Sequence, residues 1–284
     1  MSNIIDGKLI SAKVKGEVAK EIKDLTEKGV HAGLAVVIVG DNQASRVYVN
    51  SKKKACAECG IESYEYALDE RTSEEELLNL VAKLNSDDKV SGILVQLPLP
   101  KHINEERILE AISPKKDVDA FHAVNVGKIM IGNFSFLPCT PAGVMELLAS
   151  TGVDITGKEC VVIGRSNIVG KPMAMLLLHK SATVTICHSR TVDLASDCKR
   201  ADILVSAVGI ADFVTADMVK DGAIVIDVGM NRNSEGKLCG DVDFDEVKKK
   251  TSHITPVPGG VGPMTIAMLM QNTLTAAKEQ NIKL

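Results

Sequence analysis

The sequence predicts an α/β protein of two domains, and three observations carry that prediction. Continuous apolar runs too short for helices, such as residues 34–40 (LAVVIVG), alternate along the chain with helical stretches, as expected of parallel strands buried on both faces. The hydrophobic share of 45% includes only 3% aromatic residues and no Trp, which suits layered helices over buried strands better than a β-sandwich. At 284 residues the chain is long enough for two domains or one large one.

In order, residues 34–40 form a buried strand that feeds DNQAS, where a helix opens and runs through Cys59. Residues 61–68 alternate as a short strand. Thr72 or Ser73, with Glu75 or Glu76 three positions on, offers a capping box for a helix ending near Leu84. Residues 93–96 are a second buried strand, stopped by Leu97-Pro98-Leu99-Pro100. Thr140-Pro141 reads as an N-cap with proline at the first helical position, so a helix runs to about Ser150 and bridges the domains. Strand-like runs then recur at 160–163, 183–187, 203–208 and 223–228, with helical segments between the first three, which predicts a doubly wound parallel sheet. Residues 258–263 (PGGVGP) form a loop, and 264–280 form a long helix expected to return to the first domain.

Charge and cysteine content narrow the function classes. A formal charge of -4 and a pI near 5.9 leave no basic footprint for nucleic acid. No apolar run approaches bilayer length and the amino terminus lacks a leader pattern, so no membrane partner and a soluble, cytoplasmic protein are expected. Seven cysteines, an odd number, argue against a disulfide framework. Cys56 and Cys59 have C-x-x-C spacing but no second pair to complete a zinc site, so no metal is expected and they read as packing residues on a helix.

Residues 161–178 (VVIGRSNIVGKPMAMLLL) place Gly164 at the end of a strand and Gly170 where a helix begins, and backbone amides at a helix start suit a pyrophosphate. Ser166 stands where the dinucleotide fingerprint has its second glycine, so a plain tight βα turn is an equal alternative at this point. The next strand ends in His188-Ser189-Arg190-Thr191, without the carboxylate that binds an NAD ribose. Ser189, Arg190 and Arg165 instead suit a 2′-phosphate, which favours NADP.

Three consecutive lysines, Lys52, Lys53 and Lys54, raise a sharper question. On a helix, Tyr48, Lys52, Ala55, Cys56 and Cys59 share one face, so Lys52 is the charged member of an inward-looking stripe while its two successors meet solvent. Such a lysine either snorkels or pairs with a carboxylate, or it loses hydration and becomes an acid/base with a lowered pKa. Gln96, at the carboxyl end of a parallel strand, is placed to hold it. Asp117 and Asp119 lie two apart in a loop; aspartates so placed are usually caps or turns, and Asp119 is singled out for its neighbours.

The ordered blocks YVNSKKKA, VQLPLP, KKDVDAFH, PCTPAGV, GRSNIVGKP, CHSRT and PVPGGVGPMT together resemble the bifunctional methylenetetrahydrofolate dehydrogenase/cyclohydrolase family over nearly the whole chain. The resemblance implies a catalytic folate-binding domain of residues 1–140 plus 264–284, a Rossmann-like NADP domain of residues 141–263, and an active site in the cleft between them. It implies catalytic roles for Tyr48, Lys52, Gln96 and Asp119, further substrate contacts at Leu97, Pro258 and Gly259, and cofactor contacts at Gly164, Arg165, Ser166, Ser189 and Met230. Arg190 is added from the phosphate argument. The implied reaction is oxidation of 5,10-methylenetetrahydrofolate by NADP+ and hydrolysis of the methenyl product to 10-formyltetrahydrofolate, in a homodimer with small-molecule folates as its other partners. A dehydrogenase without hydrolase activity and a non-catalytic nucleotide sensor are the alternatives, against which stand the intact candidate groups in both domains.

Overall fold

The computed structural model describes residues 2–281, and for residues 43–45 the backbone alone. From the amino end, β1 (Asn3–Ile4) and α1 (Gly7–Glu27) lead into β2 (Gly33–Val39), followed by α2 (Gln43–Cys59), β3 (Glu62–Leu68), α3 (Glu74–Asn85) and β4 (Gly92–Val95). β2 pairs in parallel with both β3 and β4. The order β3-β2-β4 explains their compositions. Central β2 is buried at every position and reads GLAVVIV, whereas edge strand β3 reads ESYEYAL with no residue fully buried.

α3 begins with the expected capping box in its Ser73/Glu76 form. The Ser73 hydroxyl accepts the Glu76 N–H at 3.2 Å while the Glu76 carboxylate accepts the Ser73 N–H at 2.8 Å. Its inward stripe of Leu77, Val81 and Leu84 packs into the same core as Val37, Ile93 and Val95. Two short helices, α4 (Glu105–Ala111) and α5 (Ala123–Met130), follow, then α6 (Cys139–Ser150). α6 starts one residue before the expected N-cap, so Thr140 is helical, and its hydroxyl is 3.0 Å from that of Thr265.

The remaining elements are β5 (Glu159–Ile163), α7 (Gly170–His179), β6 (Thr183–Cys187), α8 (Leu194–Lys199), β7 (Ile203–Ser206), β8 (Ile224–Asp227), β9 (Asn231–Arg232), β10 (Leu238–Cys239), α9 (Phe244–Val247), β11 (His253–Ile254) and α10 (Val261–Gln280). A single 3-10 turn, Ala216–Met218, connects β7 to β8. The six-stranded sheet has the order β1-β11-β8-β7-β5-β6 with every pairing parallel. Strand order reverses at β5, which has β6 on one side and β7 on the other; open α/β sheets bind ligands at the carboxyl edge of such a switch point.

The chain divides into two units, Ala12–Cys139 with Ile266–Leu284, and Met1–Ser11 with Thr140–Thr265. By contact, residues 2–11 group with the second unit. The cause is β1, whose Asn3 and Ile4 pair with His253 and Ile254 at the outer edge of the large sheet. α6, expected as a bridge, belongs to the second unit from Thr140 onward. Among the described residues, no helix is long and apolar enough to cross a membrane.

All seven cysteines are free thiols. Burial pushes Cys56 up to about 12 and Cys59 up to about 11, so neither is a thiolate at neutral pH and both serve packing on α2.

Candidate active site

In the first unit, α2 presents the stripe expected from its spacing. Lys52 is 8% exposed, with Ala55, Cys56 and Cys59 buried along the same face. Lys53 and Lys54 are exposed, and Lys53 lies 3.5 Å from the Glu65 carboxylate. The Lys52 ammonium donates to Gln96 Oε1 at 2.8 Å. Gln96 follows β4 directly and is held twice: its N–H donates to the Val37 carbonyl at 2.8 Å and its Nε2 to the Leu97 carbonyl at 2.7 Å. Because the amide nitrogen is committed to Leu97, the amide oxygen is the atom turned to Lys52.

Burial drives the Lys52 pKa below the ordinary lysine range, and the nearby Asp119 charge pulls it partly back. Burial likewise raises the Asp119 carboxyl, with Lys52 opposing the rise. Burial thus disfavours the charged form of each group, and the opposite charge of its neighbour partly restores it. Tyr48, one helical turn before Lys52, is half-buried, and burial raises its phenol so that it remains a neutral donor and acceptor.

The two aspartates of the loop have separate roles. Asp117 is buried and accepts from the Phe121 and His122 amides at 3.2 and 2.9 Å and from Asn125 Nδ2 at 2.8 Å, so it fastens the start of α5. Directly after Asp119, Ala120 turns the chain at φ 57, a left-handed conformation costing a non-glycine residue about 1 kcal/mol. The Cys139 thiol, at the start of α6, donates to Asp119 Oδ1 at 3.6 Å and to the Val118 carbonyl at 3.5 Å. Asn272 of α10, also buried, donates to the carbonyls of Val118 at 2.7 Å and Leu137 at 2.8 Å, tying both loops to the carboxyl-terminal helix. Neither contact is visible in the sequence: Cys139 lies in the PCTPAGV block without a stated role, and nothing marks Asn272. Replacing Asn272 by Ala takes the amide donor from the Leu137 carbonyl and leaves the Val118 carbonyl only the weak Cys139 thiol, and is expected to cost about 1–3 kcal/mol; an unchanged urea midpoint would refute this.

In the second unit, the turn after β5 admits only glycine at two places. Gly164 has φ 123 and an added Cβ would stand 2.5 Å from the Ala207 carbonyl oxygen; at Gly170 it would stand 2.2 Å from that of Gly164. Ser166 uses its hydroxyl to accept the amides of Val169 and Gly170 at 3.1 and 3.3 Å, capping the start of α7. That cap explains why a serine stands at the fingerprint's second glycine position. Arg165, Ser166, Ser189 and Arg190 are all exposed. No carboxylate lies between Cys187 and Thr191, and Asp193 is committed to capping α8 through the Ser196 amide at 3.1 Å. This donor set of two guanidinium groups and two hydroxyls without an acid fits a dinucleotide bearing a 2′-phosphate. Met230, 45% exposed, follows β8, and an added Cβ at Gly262 would meet its Cε at 3.3 Å. Pro258 and Gly259, expected to touch substrate, lie in this unit after β11, with Gly259 at φ 111.

The second unit has the build of a dinucleotide-binding domain of an oxidoreductase. The family model described as "Tetrahydrofolate dehydrogenase/cyclohydrolase, NAD(P)-binding domain" matches residues 138–281, and the corresponding catalytic-domain model matches residues 5–119. A bifunctional protein FolD from Acetivibrio thermocellus is 65% identical over 279 residues, 98% of either chain. The crystal structure of the bifunctional enzyme from Campylobacter jejuni superposes with a TM-score of 0.97 at 54% identity, covering 99% of this chain and 100% of that one. The Trypanosoma brucei dehydrogenase-cyclohydrolase, solved with NADP cofactor and an inhibitor, is 42% identical with a TM-score of 0.94 over 98% of both chains.

The chain belongs to the tetrahydrofolate dehydrogenase/cyclohydrolase family. It oxidises 5,10-methylenetetrahydrofolate to the 5,10-methenyl form with NADP as cofactor and hydrolyses that product to 10-formyltetrahydrofolate.

Proposed function

We propose that Lys52 moves the protons of the hydrolytic step, with Gln96, Tyr48 and Asp119 as its partners. The single observation that carries this reading is the buried Lys52 ammonium held at 2.8 Å by Gln96, with Asp119 as the nearby carboxylate. Water attacks the bridging carbon of the methenyl cation, and the free amine of Lys52 takes a proton from that water as the C–O bond forms. The adduct then breaks its bond to N5. The departing nitrogen takes up a proton and the new hydroxyl gives one up, so one proton is released overall. Gln96 keeps the amine in register, and Tyr48 packs the folate and completes the hydrogen-bond chain. Asp119 accepts from the pterin amino and ring N–H groups, which fixes its orientation. Leu97, Pro258 and Gly259 supply further substrate contacts, Gly259 by close backbone approach.

NADP+, when bound, accepts the hydride of the oxidation step. Gly164 and Ser166 would line its pyrophosphate turn, Arg165, Ser189 and Arg190 would hold the 2′-phosphate, and Met230 would supply a further cofactor contact. Arg190→Ala is expected to raise KM for NADP+ about tenfold, a loss of about 1.4 kcal/mol, while leaving KM for NAD+ nearly unchanged; an equal effect on both nucleotides would remove Arg190 from the phosphate site. We also place the protein in the cytoplasm, where seven free thiols stay reduced, and as a homodimer by the family resemblance. Light scattering on the purified protein tests the latter.

The functional test is direct: protein mixed with methylenetetrahydrofolate and NADP+ forms NADPH and then 10-formyltetrahydrofolate. Arrest at the methenyl compound would leave a dehydrogenase alone, and absence of turnover would leave a nucleotide sensor.

A further inference from the structure

Asp227 and Asp241 are both buried in the second unit, 3% and 0% exposed, and among the described residues neither joins an ion pair. Hydrogen bonds hold them instead. Asp241 Oδ2 accepts from the Ser206 hydroxyl at 3.1 Å and the Val208 amide at 2.8 Å; its Oδ1 accepts from the Ile210 amide at 3.1 Å and Asn231 Nδ2 at 2.9 Å. Asp227, the last residue of β8, accepts from the amides of Gly229, Asp241 and Val242, each at 2.9 Å. Its own N–H donates to the Thr255 hydroxyl just beyond β11 at 2.8 Å.

No side chain fits between these groups and the turns they hold. An added Cβ at Gly229 would stand 2.1 Å from Asp241 Oδ1, and one at Gly240 would stand 1.8 Å from Asp227 Oδ2. Ala207, flanked by the Ser206 and Val208 that Asp241 binds, presents the carbonyl on which Gly164 closes. The Asp241 carboxylate thereby fastens the loop after β7 to Asn231 beyond β8, and the Asp227 carboxylate fastens the end of β8 to residues 241 and 242. Two adjacent buried carboxylates are a costly way to hold a fold, and the donors that offset this cost come from the loops of one sheet edge.

We infer that Asp241, with Asp227 behind it, is a positioning residue for the cofactor: it sets the backbone of residues 207–210 and 228–231 on which the dinucleotide seats. The inference rests on the reading of this sheet edge as the NADP site. Being wholly buried, Asp241 acts through those loops and not by contact.

Asp241→Asn tests it, because the amide keeps the volume but, in either orientation, turns an NH2 toward the Val208 or the Ile210 N–H. KM for NADP+ is expected to rise at least tenfold, while hydrolysis of 5,10-methenyltetrahydrofolate assayed without nucleotide stays within twofold of the parent. Equal loss of both activities would make Asp241 merely structural and overturn the inference. An unchanged KM in Asp241→Asn beside a raised KM in Arg165→Ala would also overturn it while sparing the cofactor reading. An unchanged KM in Arg165→Ala and Ser189→Ala as well would overturn that reading too. If Asp241→Asn fails to fold, Asn231→Ala, which removes one donor to Oδ1, takes its place. Its KM for NADP+ is expected to rise severalfold with hydrolysis spared, and no rise refutes the inference.

Discussion

Lys52→Met is expected to slow hydrolysis of 5,10-methenyltetrahydrofolate about a thousandfold, the scale of a lost general acid/base, while KM for NADP+ stays near its parent value. Methionine keeps most of the side-chain volume in the stripe beside Ala55 and Cys56, so packing is retained while the proton carrier is gone. The wild-type hydrolysis rate should climb with pH as Lys52 passes from ammonium to free amine, and that climb begins below the ordinary lysine range because burial depresses its pKa. The variant should lose the climb. A Lys52→Met enzyme that hydrolyses at the parent rate would remove the residue from the reaction.

Asp119→Asn should lower kcat/KM for the folate substrate by about 10–100-fold, the value of one charge-assisted hydrogen bond of roughly 1.5–3 kcal/mol. The sign of its second effect follows from the pair. Asp119 raises the Lys52 pKa against the larger pull of burial, so its neutralisation lets that pKa fall further and moves the rising limb of the hydrolysis profile to lower pH. Loss of folate affinity with an unmoved limb would show that Asp119 orients the pterin but is not coupled to the amine. A limb displaced to higher pH would contradict the electrostatics altogether.

How far these features can be read from the amino-acid order depends on how local their causes are. β2 and β4 are continuous apolar runs because both faces are covered, and β5 and β8 are too but for one acidic residue at an end of each, so their signal is complete within four to seven residues. Lys52 separates from Lys53 and Lys54 because helical period alone turns it inward, and Gln96 is found because it ends a strand. β1 and β11 have two residues each, too few for any period, and their pairing across 250 positions fixed where the amino terminus belongs. Asn272 meets Val118 across 154 positions, and its helix gives no hint of it. The Asp227 and Asp241 hub is hidden for another reason: most of its donors are backbone amides, which every residue but proline possesses.

The order in which the elements are threaded has a consequence for synthesis. Among the described residues β1 pairs with β11, which is made some two hundred and fifty residues after it; the unit built around Lys52 likewise draws on residues 266–281, made after residues 140–265 of the other unit. Neither unit can close before those distant residues have been made, although domains ordinarily mature one after another as they emerge. Nascent chains must therefore wait unfinished, which makes the stretch from β11 into α10 a checkpoint for both halves.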